Sequence, residues 1–590
     1  NTIKSLHHRG PDSNGYYHAI DDLLNNVYLL HTRLNIIDIE TRSNQPYQLG
    51  PFALVFNGEI YNYLEIKSLL KSEGVTFATE GDTEVLAKAL IQWGIDIALD
   101  KMEGMWAFAF YNKNSGDLYL CRDRFGEKPL YFTNQNDGVY FSSETSSLSH
   151  LINKKLDINF DQIQRYLING YKSIYKQNQT FYKEVEEVRR GHWVKINKKI
   201  KLTEANYWKP NTKVNDSLTY SESVQMIKDE LSRSVSIRLR SDVPIAFCMS
   251  GGIDSNALIS IASREKDYNV HGFTIVNSDD RYDESDLVKK SVADLGISHT
   301  SVPLQKKNFL EDLKKLVKSH DCPVYTISYF LHWKLMKAIS EEGYKVSISG
   351  TGADELFTGY YDHGNLFLET IRNDPEIFEK ELNGWKKNHL PYVRNKYLSN
   401  SSLYLDNPNF RDHIYDDSKI FSRFLNKQWS EDFSEKNYEL SLLRNRMLNE
   451  LFCEIVPVIL HEDDLNSMYF SIENRSPFLD RKLFEAAYSI PEKYLIKNGI
   501  KKSILRDAVR SIVPQQIIDN PKKVGFNGPI EDLLDINDPK VRQFVLDSSS
   551  IFDLVNKSKL EKLFKKKVLL NSESKFIFNF LNVKMFLDNN

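Results

Sequence analysis

The sequence predicts a layered α+β region at the amino terminus, followed by an α/β region built on a parallel sheet and a helical carboxyl-terminal part. The chain has 590 residues, which is too long for one hydrophobic core. Strand-like runs dominate roughly the first 200 residues, whereas strands and helices alternate after a polar stretch. Beyond about residue 360 the patterns are mostly helical.

The first region, residues 1–208, carries short runs of β-branched and aromatic residues bounded by Gly, Asn or Asp. We predict strands at 27–34, 52–56, 106–111, 118–121 and 139–141. Two helical patterns interrupt them, with shared apolar faces formed by Tyr63, Ile66, Leu69 and Leu70 and by Val85, Leu86, Ala89 and Leu90. Strands, then a helix pair, then more strands indicate stacked layers of sheet and helix.

The second region, residues 220–590, follows a polar linker at 209–219. It begins with an amphipathic helix pattern at Val224, Ile227, Leu231 and Val235. Predicted strands at 243–249, 270–276 and 346–349 alternate with helices at 257–262 and 287–295. This alternation is typical of a parallel sheet with helices on both faces.

Bulk composition excludes several classes of protein. The formal net charge is −3 without a block of like charges, so we predict neither a nucleic-acid partner nor a membrane surface. The four cysteines lie far apart, which argues against a zinc site or a disulfide framework and indicates a reducing cytoplasm. No apolar run reaches about 18 residues, so no membrane-spanning helix is expected.

The most informative segment reads Ser-Gly-Gly-Ile-Asp-Ser at 250–255, directly after an apolar strand and before a helix. The glycines let the backbone approach an anion, and the Ser250 and Ser255 hydroxyls with the helix amides supply donors. Asp254 would repel phosphates unless a divalent cation lies between them. The alternative is a tight turn whose Asp and Ser only cap the helix.

A second loop, Ser-Gly-Thr-Gly-Ala-Asp-Glu at 349–355, also follows a predicted parallel strand. Ligands of open α/β sheets bind at the carboxyl ends of the strands, so both loops are expected to face one crevice. Asp254 and Asp354 would then share Mg²⁺ that bridges ATP phosphates. Taken alone, this second loop could also be a solvated turn.

These loops resemble those of glutamine-hydrolysing asparagine synthetases, and further segments extend the likeness from residue 8 to about 529. In the second region the matching segments are 471–480, 502–506 and 523–526. In the first region they are 8–12, 33–38, 56–62, 81–84 and 122–126, which match the class II glutamine amidotransferase domain of these enzymes. The resemblance therefore implies an Ntn-hydrolase-like αββα fold for the first region.

For the first region the resemblance implies release of ammonia from glutamine. Asn57 and Gly58 would form a catalytic oxyanion hole, placed where negative charge develops. Arg33 would hold the α-carboxylate of glutamine by a bidentate pair, and Glu59 and Asp82 would bind its α-amino group. Ammonia would reach the second region through an internal tunnel.

For the second region the resemblance implies adenylation of a carboxylate by ATP and displacement of AMP by ammonia. With aspartate as acceptor, the products are asparagine, glutamate, AMP and pyrophosphate. Lys523 would stabilise the negative charge that develops in this step. The implied ATP-binding residues are Cys248, Ser250, Gly251, Gly252, Asp254, Ser255, Ile275, Ser349 and Gly350.

Several of these residues have simpler interpretations. Asn57-Gly58 alone could be a β-turn, and Arg33 could be a surface residue of a strand. Lys523 could be a charge on a carboxyl-terminal helix, and Cys248 could be a small core residue that contributes only its backbone.

Two features depart from the family pattern. The family begins with a nucleophilic cysteine, but only seven residues precede His8 here and none is cysteine. We expect that the natural amino terminus is missing from this chain; the alternative is a protein that uses free ammonia. The second loop has Thr351 where the family usually carries a glutamate, and a carboxylate from Glu355 or Glu473 could substitute.

Thr351 leaves the acceptor open, with a sugar uronate or an antibiotic or peptide precursor as alternatives to aspartate. A catalytically silent relative that serves as a binding subunit is a third hypothesis, although it has no need for paired acidic residues beside an anion-binding loop. The expected partners are small molecules, and homodimer formation is open.

Overall fold

The computed structural model describes residues 1–276, 283–304, 308–522, 528, 530–566 and 569–590. The strands of the first region are β1 Ser13–Ile20, β2 Asn26–Arg33, β3 Tyr47–Leu49, β4 Phe52–Ile60, β5 Gly104–Asn112, β6 Asp117–Arg122, β7 Tyr131–Gln135, β8 Gly138–Ser142, β9 Glu186–Glu187, β10 His192–Ile196 and β11 Leu202–Asn206. Its α-helices are α1 Thr2–Ser5, α2 Tyr63–Ser72, α3 Asp82–Trp93, α4 Ile95–Lys101, α5 Thr145–Ile152 and α6 Phe160–Asn169.

Antiparallel sheets form the centre of the first region. Within the described residues, a six-stranded sheet has the order β11-β10-β6-β5-β4-β3, beside a β1-β2 pair and a β8-β7-β9 sheet. One face of the large sheet, with Phe56 and Phe108, packs against apolar residues of α2 and α3. Its other face, with Val55 and Ala109, packs against Leu29 and Phe132 of the smaller sheets. Helix α5 covers β8, so the layers run helix, sheet, sheet, helix and confirm the predicted fold class.

Helix α2 corrects one detail of the predicted apolar face. Its buried side chains are Ile66, Lys67 and Leu70, whereas Leu69 is 47% exposed. Leu69 follows Tyr63 by six positions, which is a rotation of about 240° from Tyr63 around a helix. The predicted face was therefore too wide, and Leu69 was wrongly included in it.

The second region contains a parallel sheet, as predicted. Its strands are β12 Ile245–Cys248, β13 His271–Val276, β14 Ser298–Pro303, β15 Val346–Ile348 and β16 Glu473–Arg475. Among the described residues the order is β14-β13-β12-β15-β16, and every neighbouring pair is parallel. The direction of winding reverses between β12 and β15, which is where ligands bind in open α/β sheets. The two edge strands, β14 and β16, were not predicted as strands.

Helices make up most of the remaining described structure after β15, as predicted. The α-helices of this region are α7 Tyr220–Arg238, α8 Ile253–Ser260, α9 Ser285–Leu295, α10 Phe309–His320, α11 Ile327–Glu341, α12 Ala353–Phe357, α13 Tyr361–Thr370, α14 Pro375–Asn388, α15 Leu403–Asp406, α16 Ser418–Phe421, α17 Leu442–Asn449, α18 Val456–Met468, α19 Arg481–Ser489, α20 Ser503–Ala508, α21 Gln515–Ile518, α22 Ile530–Leu533, α23 Pro539–Leu546, α24 Lys557–Phe564 and α25 Asn571–Asn589. Among the helices that the structure describes, none is long and apolar enough to cross a membrane.

The two regions pack against each other through apolar and charged side chains. Residues 209–219 between them form neither helix nor strand. The ring of Phe125 lies 6.3 Å from Phe452 and 6.1 Å from Phe484, measured between centroids. Helix α25, whose residues are largely buried, packs against α6 of the first region. Interface side chains can therefore position residues of both regions at one site.

Candidate functional site

The two loops predicted from the sequence meet at the switch point of the parallel sheet. Residues 249–252 connect β12 to α8, whose first turn contains Asp254 and Ser255, and residues 349–352 connect β15 to α12. The backbones lie so close that a Cβ atom on Gly350 would be 3.1 Å from Cβ of Asp254. The prediction that both loops face one crevice agrees with this placement.

The first loop is held together by its own hydroxyl groups. The backbone N–H of Ser250 donates to Oγ of Ser255 over 3.1 Å, and the N–H of Gly252 donates to Oγ of Ser250 over 3.2 Å. The N–H of Gly251 donates to Oε2 of Glu284 over 3.2 Å. The Glu284 carboxylate thus accepts a hydrogen bond from the Gly251 amide. A phosphate oxygen bound to this loop would make the same type of contact.

Asp254 and Asp354 are brought together, and the ammonium of Lys502 lies between them. Nζ of Lys502 is 2.6 Å from Oδ2 of Asp254 and 2.5 Å from Oδ1 of Asp354. Burial by itself lowers the pKa of Lys502, but the charges of the two carboxylates outweigh burial and raise the pKa. Lys502 lies in segment 502–506, which resembles the family, but no role was predicted for it because nothing in the local sequence shows that it reaches both loops.

The predicted ATP-binding residues line one cavity of about 1970 Å³, including Cys248, Ile275, Ser349 and Gly350. Burial raises the pKa of the Cys248 thiol, so the thiol stays protonated. This agrees with the interpretation that Cys248 contributes packing and backbone rather than a reactive sulfur. Lys523 lies outside the described residues, so its assigned role stays a prediction.

The same cavity extends to Thr351 and to residues from the first region. Oγ1 of Thr351 donates to Oδ2 of Asp463 over 3.2 Å, and both residues line the cavity. Tyr171 and Lys172, which follow α6, also line it. Among the residues that the structure describes, the Lys172 ammonium has no carboxylate within ion-pair distance. Sequence reasoning missed Asp463, Tyr171 and Lys172.

The two carboxylates expected to replace the family glutamate have other partners. Glu473 lies on β16, where its Oε1 accepts from Nε of Arg475 over 2.9 Å, and its charge raises the pKa of Glu59. Glu355 is 1% exposed and accepts from the hydroxyl of Tyr360 over 2.5 Å. Neither contacts Thr351, whose carboxylate partner is Asp463.

The predicted glutamine-binding carboxylates lie together, with Glu59 on strand β4 and Asp82 at the start of helix α3. Burial and the charges of Asp82 and Glu473 raise the pKa of Glu59 well above its ordinary value. Burial also raises the pKa of Asp82 to about 6, against the opposing hydrogen bond from the backbone N–H of Ile60. Nη2 of Arg475, from the second region, lies 3.7 Å from Oε1 of Glu59. A ligand ammonium bound here would favour the ionised form of both carboxylates.

Asn57 and Gly58 lie within strand β4, opposite Ala107 and Trp106 of β5, so they do not form a β-turn. Gly58 has φ of 142°, and a Cβ atom there would be 2.1 Å from the carbonyl oxygen of Met105. Only glycine fits this backbone. Nδ2 of Asn57 points to Oγ of Ser143 at 3.5 Å, which is a weak contact that a ligand can replace.

Arg33 is buried rather than being a surface residue of its strand. Nη1 donates to the carbonyl of Glu40 and to Oδ1 of Asn44, each over 2.9 Å, and Nη2 donates to the carbonyls of Ile37 and Asp38. All four terminal N–H groups therefore have protein acceptors. The assignment of Arg33 to the α-carboxylate of glutamine stays a prediction. For Arg33 to bind the carboxylate, some of its N–H groups must give up their present acceptors in residues 37–44.

Two family models match this chain. The family model described as asparagine synthase matches residues 226–587, and the model described as glutamine amidotransferase domain matches residues 1–208. Asparagine synthetase (glutamine-hydrolyzing) 1 of Bacillus subtilis is 33% identical over 551 residues, which cover 89% of this chain and 83% of that protein. Asparagine synthetase (glutamine-hydrolyzing) 3 of the same organism is 27% identical, with coverage of 88% and 82%. Amidase chyE of Penicillium rubens is 26% identical, with coverage of 88% and 83%.

An amidotransferase region packed on a parallel-sheet region with this loop pair defines a glutamine-dependent carbon–nitrogen ligase. The resemblance found in the sequence is confirmed, and the chain belongs to the asparagine synthase family.

Proposed function

We propose that this enzyme adenylates a carboxylate with ATP and converts it to an amide with ammonia derived from glutamine. With the aspartate side chain as acceptor, the products are asparagine, glutamate, AMP and pyrophosphate. The names of the two Bacillus subtilis relatives support aspartate as the first acceptor to test.

The observation that carries this proposal is the meeting of Asp254, Asp354 and Lys502 beside the Ser-Gly-Gly loop. Two carboxylates that contact the same ammonium group are also close enough to bind one metal ion together. Asp254 and Asp354 would therefore hold Mg²⁺. Mg²⁺ bound there would neutralise charge on the phosphates of ATP. The donors of Ser250, Gly251, Gly252 and Ser255 would bind the pyrophosphate group, with Lys502 beside it.

Glutamine would bind with its α-amino group between Glu59 and Asp82. Two buried carboxylates with raised pKa values support this orientation, because an ammonium ion stabilises their charged forms. Asn57 and Gly58 would supply the oxyanion hole, and Arg33 the contact to the α-carboxylate. Lys523 keeps its proposed role in stabilising charge during adenylation.

A second candidate keeps the chemistry but changes the acceptor to a larger acid such as a uronate or a peptide precursor. Thr351 in place of the family glutamate favours it. For either acceptor, we assign the acceptor carboxylate to the ammonium of Lys172, which has no ion-pair partner among the described residues.

The deciding experiment measures pyrophosphate release that depends on ATP and ammonia, with aspartate beside a panel of other carboxylates including uronates. Aspartate-dependent release with asparagine as product supports the first acceptor. Release with another acid alone supports the second candidate. No release with any member of the panel, from a folded chain with Mg²⁺ present, would contradict the proposed activity for these acceptors.

A further inference from the structure

Thr351 leaves the amide-forming step without the carboxylate that the family usually carries in the second loop. Ammonia that attacks an acyl-adenylate carries an extra proton on nitrogen, which a nearby base such as a carboxylate accepts before the amide is complete. Another carboxylate of this chain, close to Thr351, would serve this role.

Asp463 of helix α18 is the carboxylate that contacts Thr351. Its Oδ2 accepts a hydrogen bond from Oγ1 of Thr351 over 3.2 Å, and Oγ of Ser349 lies 3.2 Å from the same Thr351 hydroxyl. Asn474 connects them further, with Nδ2 3.0 Å from Oγ of Ser349 and 3.5 Å from Asp463. Asp463 is buried, with 7% of the residue exposed to solvent, yet it lines the ATP cavity.

We propose that Asp463, held by Thr351, is the general base that takes the proton from the attacking ammonia in the amide-forming step. This inference rests on the proposed adenylation chemistry. A bond forms between nitrogen and the acyl carbon, and the bond from that carbon to the phosphate oxygen of AMP breaks. AMP leaves with the electron pair, Asp463 takes one proton from nitrogen, and the amide retains two hydrogens.

The surroundings of Asp463 suit a base that works near neutral pH. Burial is the main reason that the pKa of Asp463 is raised to about 7, the hydrogen bond from Thr351 opposes this rise, and the charges of Glu462 and Asp464 contribute to it. Nδ1 of His332 lies 3.6 Å from Oδ1 of Asp463, but burial lowers the pKa of His332 to about 4, so this ring is neutral. The other titratable groups that face Asp463 are the Cys248 thiol and the Tyr329 hydroxyl.

The test separates the two half-reactions in the variant Asp463→Asn. Exchange of labelled pyrophosphate into ATP with the acceptor present reports adenylation, and amide formation with ammonia reports the second step. We expect adenylation to persist and amide formation to fall by about 100-fold or more, which is the usual contribution of a general base. Asp463→Asn combined with Thr351→Glu should recover amide formation, because the carboxylate returns in the loop.

Asp321→Asn is the matched control, because Asp321 is a buried carboxyl with a raised pKa that contacts Tyr182 and Thr145 outside the ATP cavity. It should leave the ratio of amide formation to adenylation unchanged. Full amide formation by Asp463→Asn, or equal loss of both half-reactions, would overturn the role of Asp463. If the chain without substitutions shows no pyrophosphate exchange, the proposed function itself is overturned.

Thr351→Val keeps the test informative if Asp463→Asn does not fold. Without the Thr351 hydrogen bond the pKa of Asp463 rises, so the basic form appears only at higher pH. With hydroxylamine as nucleophile, which is unprotonated near neutral pH, the acidic limb of the amide-forming rate should move to higher pH. An unchanged limb would contradict the proposal.

Discussion

Arg9 and Asp464 form a buried ion pair between the two regions, with Nη2 of Arg9 2.8 Å from Oδ2 of Asp464. Lys128, also from the first region, contacts the other oxygen of Asp464 over 2.8 Å. Nη1 of Arg9 binds Glu144 over 3.0 Å. Asp464 follows Asp463 directly in α18. Arg9 and Lys128 of the amidotransferase region therefore hold the helical turn from which the Asp463 carboxylate faces the ATP cavity.

Replacement of Arg9 should therefore destabilise the enzyme strongly. Arg9→Met leaves the carboxylates of Glu144 and Asp464 buried with fewer cations, and we expect a loss of about 3–5 kcal/mol in the free energy of unfolding. Chemical denaturation measures it. The matched control is Lys198→Met, which removes an exposed contact to Asp22 and should cost less than about 1 kcal/mol. Equal costs in the two variants would show that the buried pair contributes no more than a surface pair.

Replacement of Lys502 should abolish adenylation. Lys502→Met leaves Asp254 and Asp354 facing each other without the ammonium and removes a donor near the proposed pyrophosphate site. We expect pyrophosphate exchange to fall by about 100-fold or more, as for loss of one preorganised charge-stabilising donor. Lys314→Met, in an exposed contact with Glu311, is the control for removal of a lysine. Retained exchange in Lys502→Met would place the pyrophosphate elsewhere.

Glutamine binding should weaken as the pH falls through about 6, the value to which the pKa of Asp82 is raised. The ligand ammonium prefers ionised Asp82 and Glu59, and protonation at lower pH removes that attraction. Arg475, Glu473 and Arg33 are the other charged groups around the pair, and the guanidinium groups keep their charge in this range. Below the pKa of Asp82, the Kd for glutamine should rise by up to about tenfold for each unit by which the pH falls, if binding is coupled to the loss of one proton.

Isothermal calorimetry with glutamine measures this dependence without any turnover. In Asp82→Asn the affinity should be weaker at neutral pH and should vary less with pH between about 5 and 7 than in the unaltered chain. A Kd that does not change with pH in the unaltered chain would mean that the α-amino group binds elsewhere.

Lys172 should determine affinity for the acceptor acid. Lys172→Met removes a cation that lines the ATP cavity without a carboxylate partner among the described residues. We expect the KM for the acceptor to rise by about 10-fold or more, as for loss of a charge-assisted hydrogen bond worth about 1.5–3 kcal/mol. The KM for ATP is the internal control and should stay the same. An unchanged acceptor KM would exclude Lys172 from the acceptor site.

Much of the architecture follows from local patterns. The runs 52–56 and 106–111 lie in β4 and β5, and the alternation after residue 220 produces the parallel sheet. Leu69 shows the limit of such reasoning, since one apolar residue on the edge of a helical stripe can face solvent. β16 has three residues, and its neighbour β15 lies more than 100 positions away, so no local periodicity marks it.

By itself, the sequence determined the family, the fold class and the two loops at 250–255 and 349–355, because strand, glycine and helix signals are local and the loop chemistry is read residue by residue. Only the tertiary structure decided which side chains meet there. Lys502 reaches Asp254 from 248 positions away, and Asp463 reaches Thr351 from 112 positions away. Such pairs depend on how the helices pack around the sheet, and local spacing does not encode that packing.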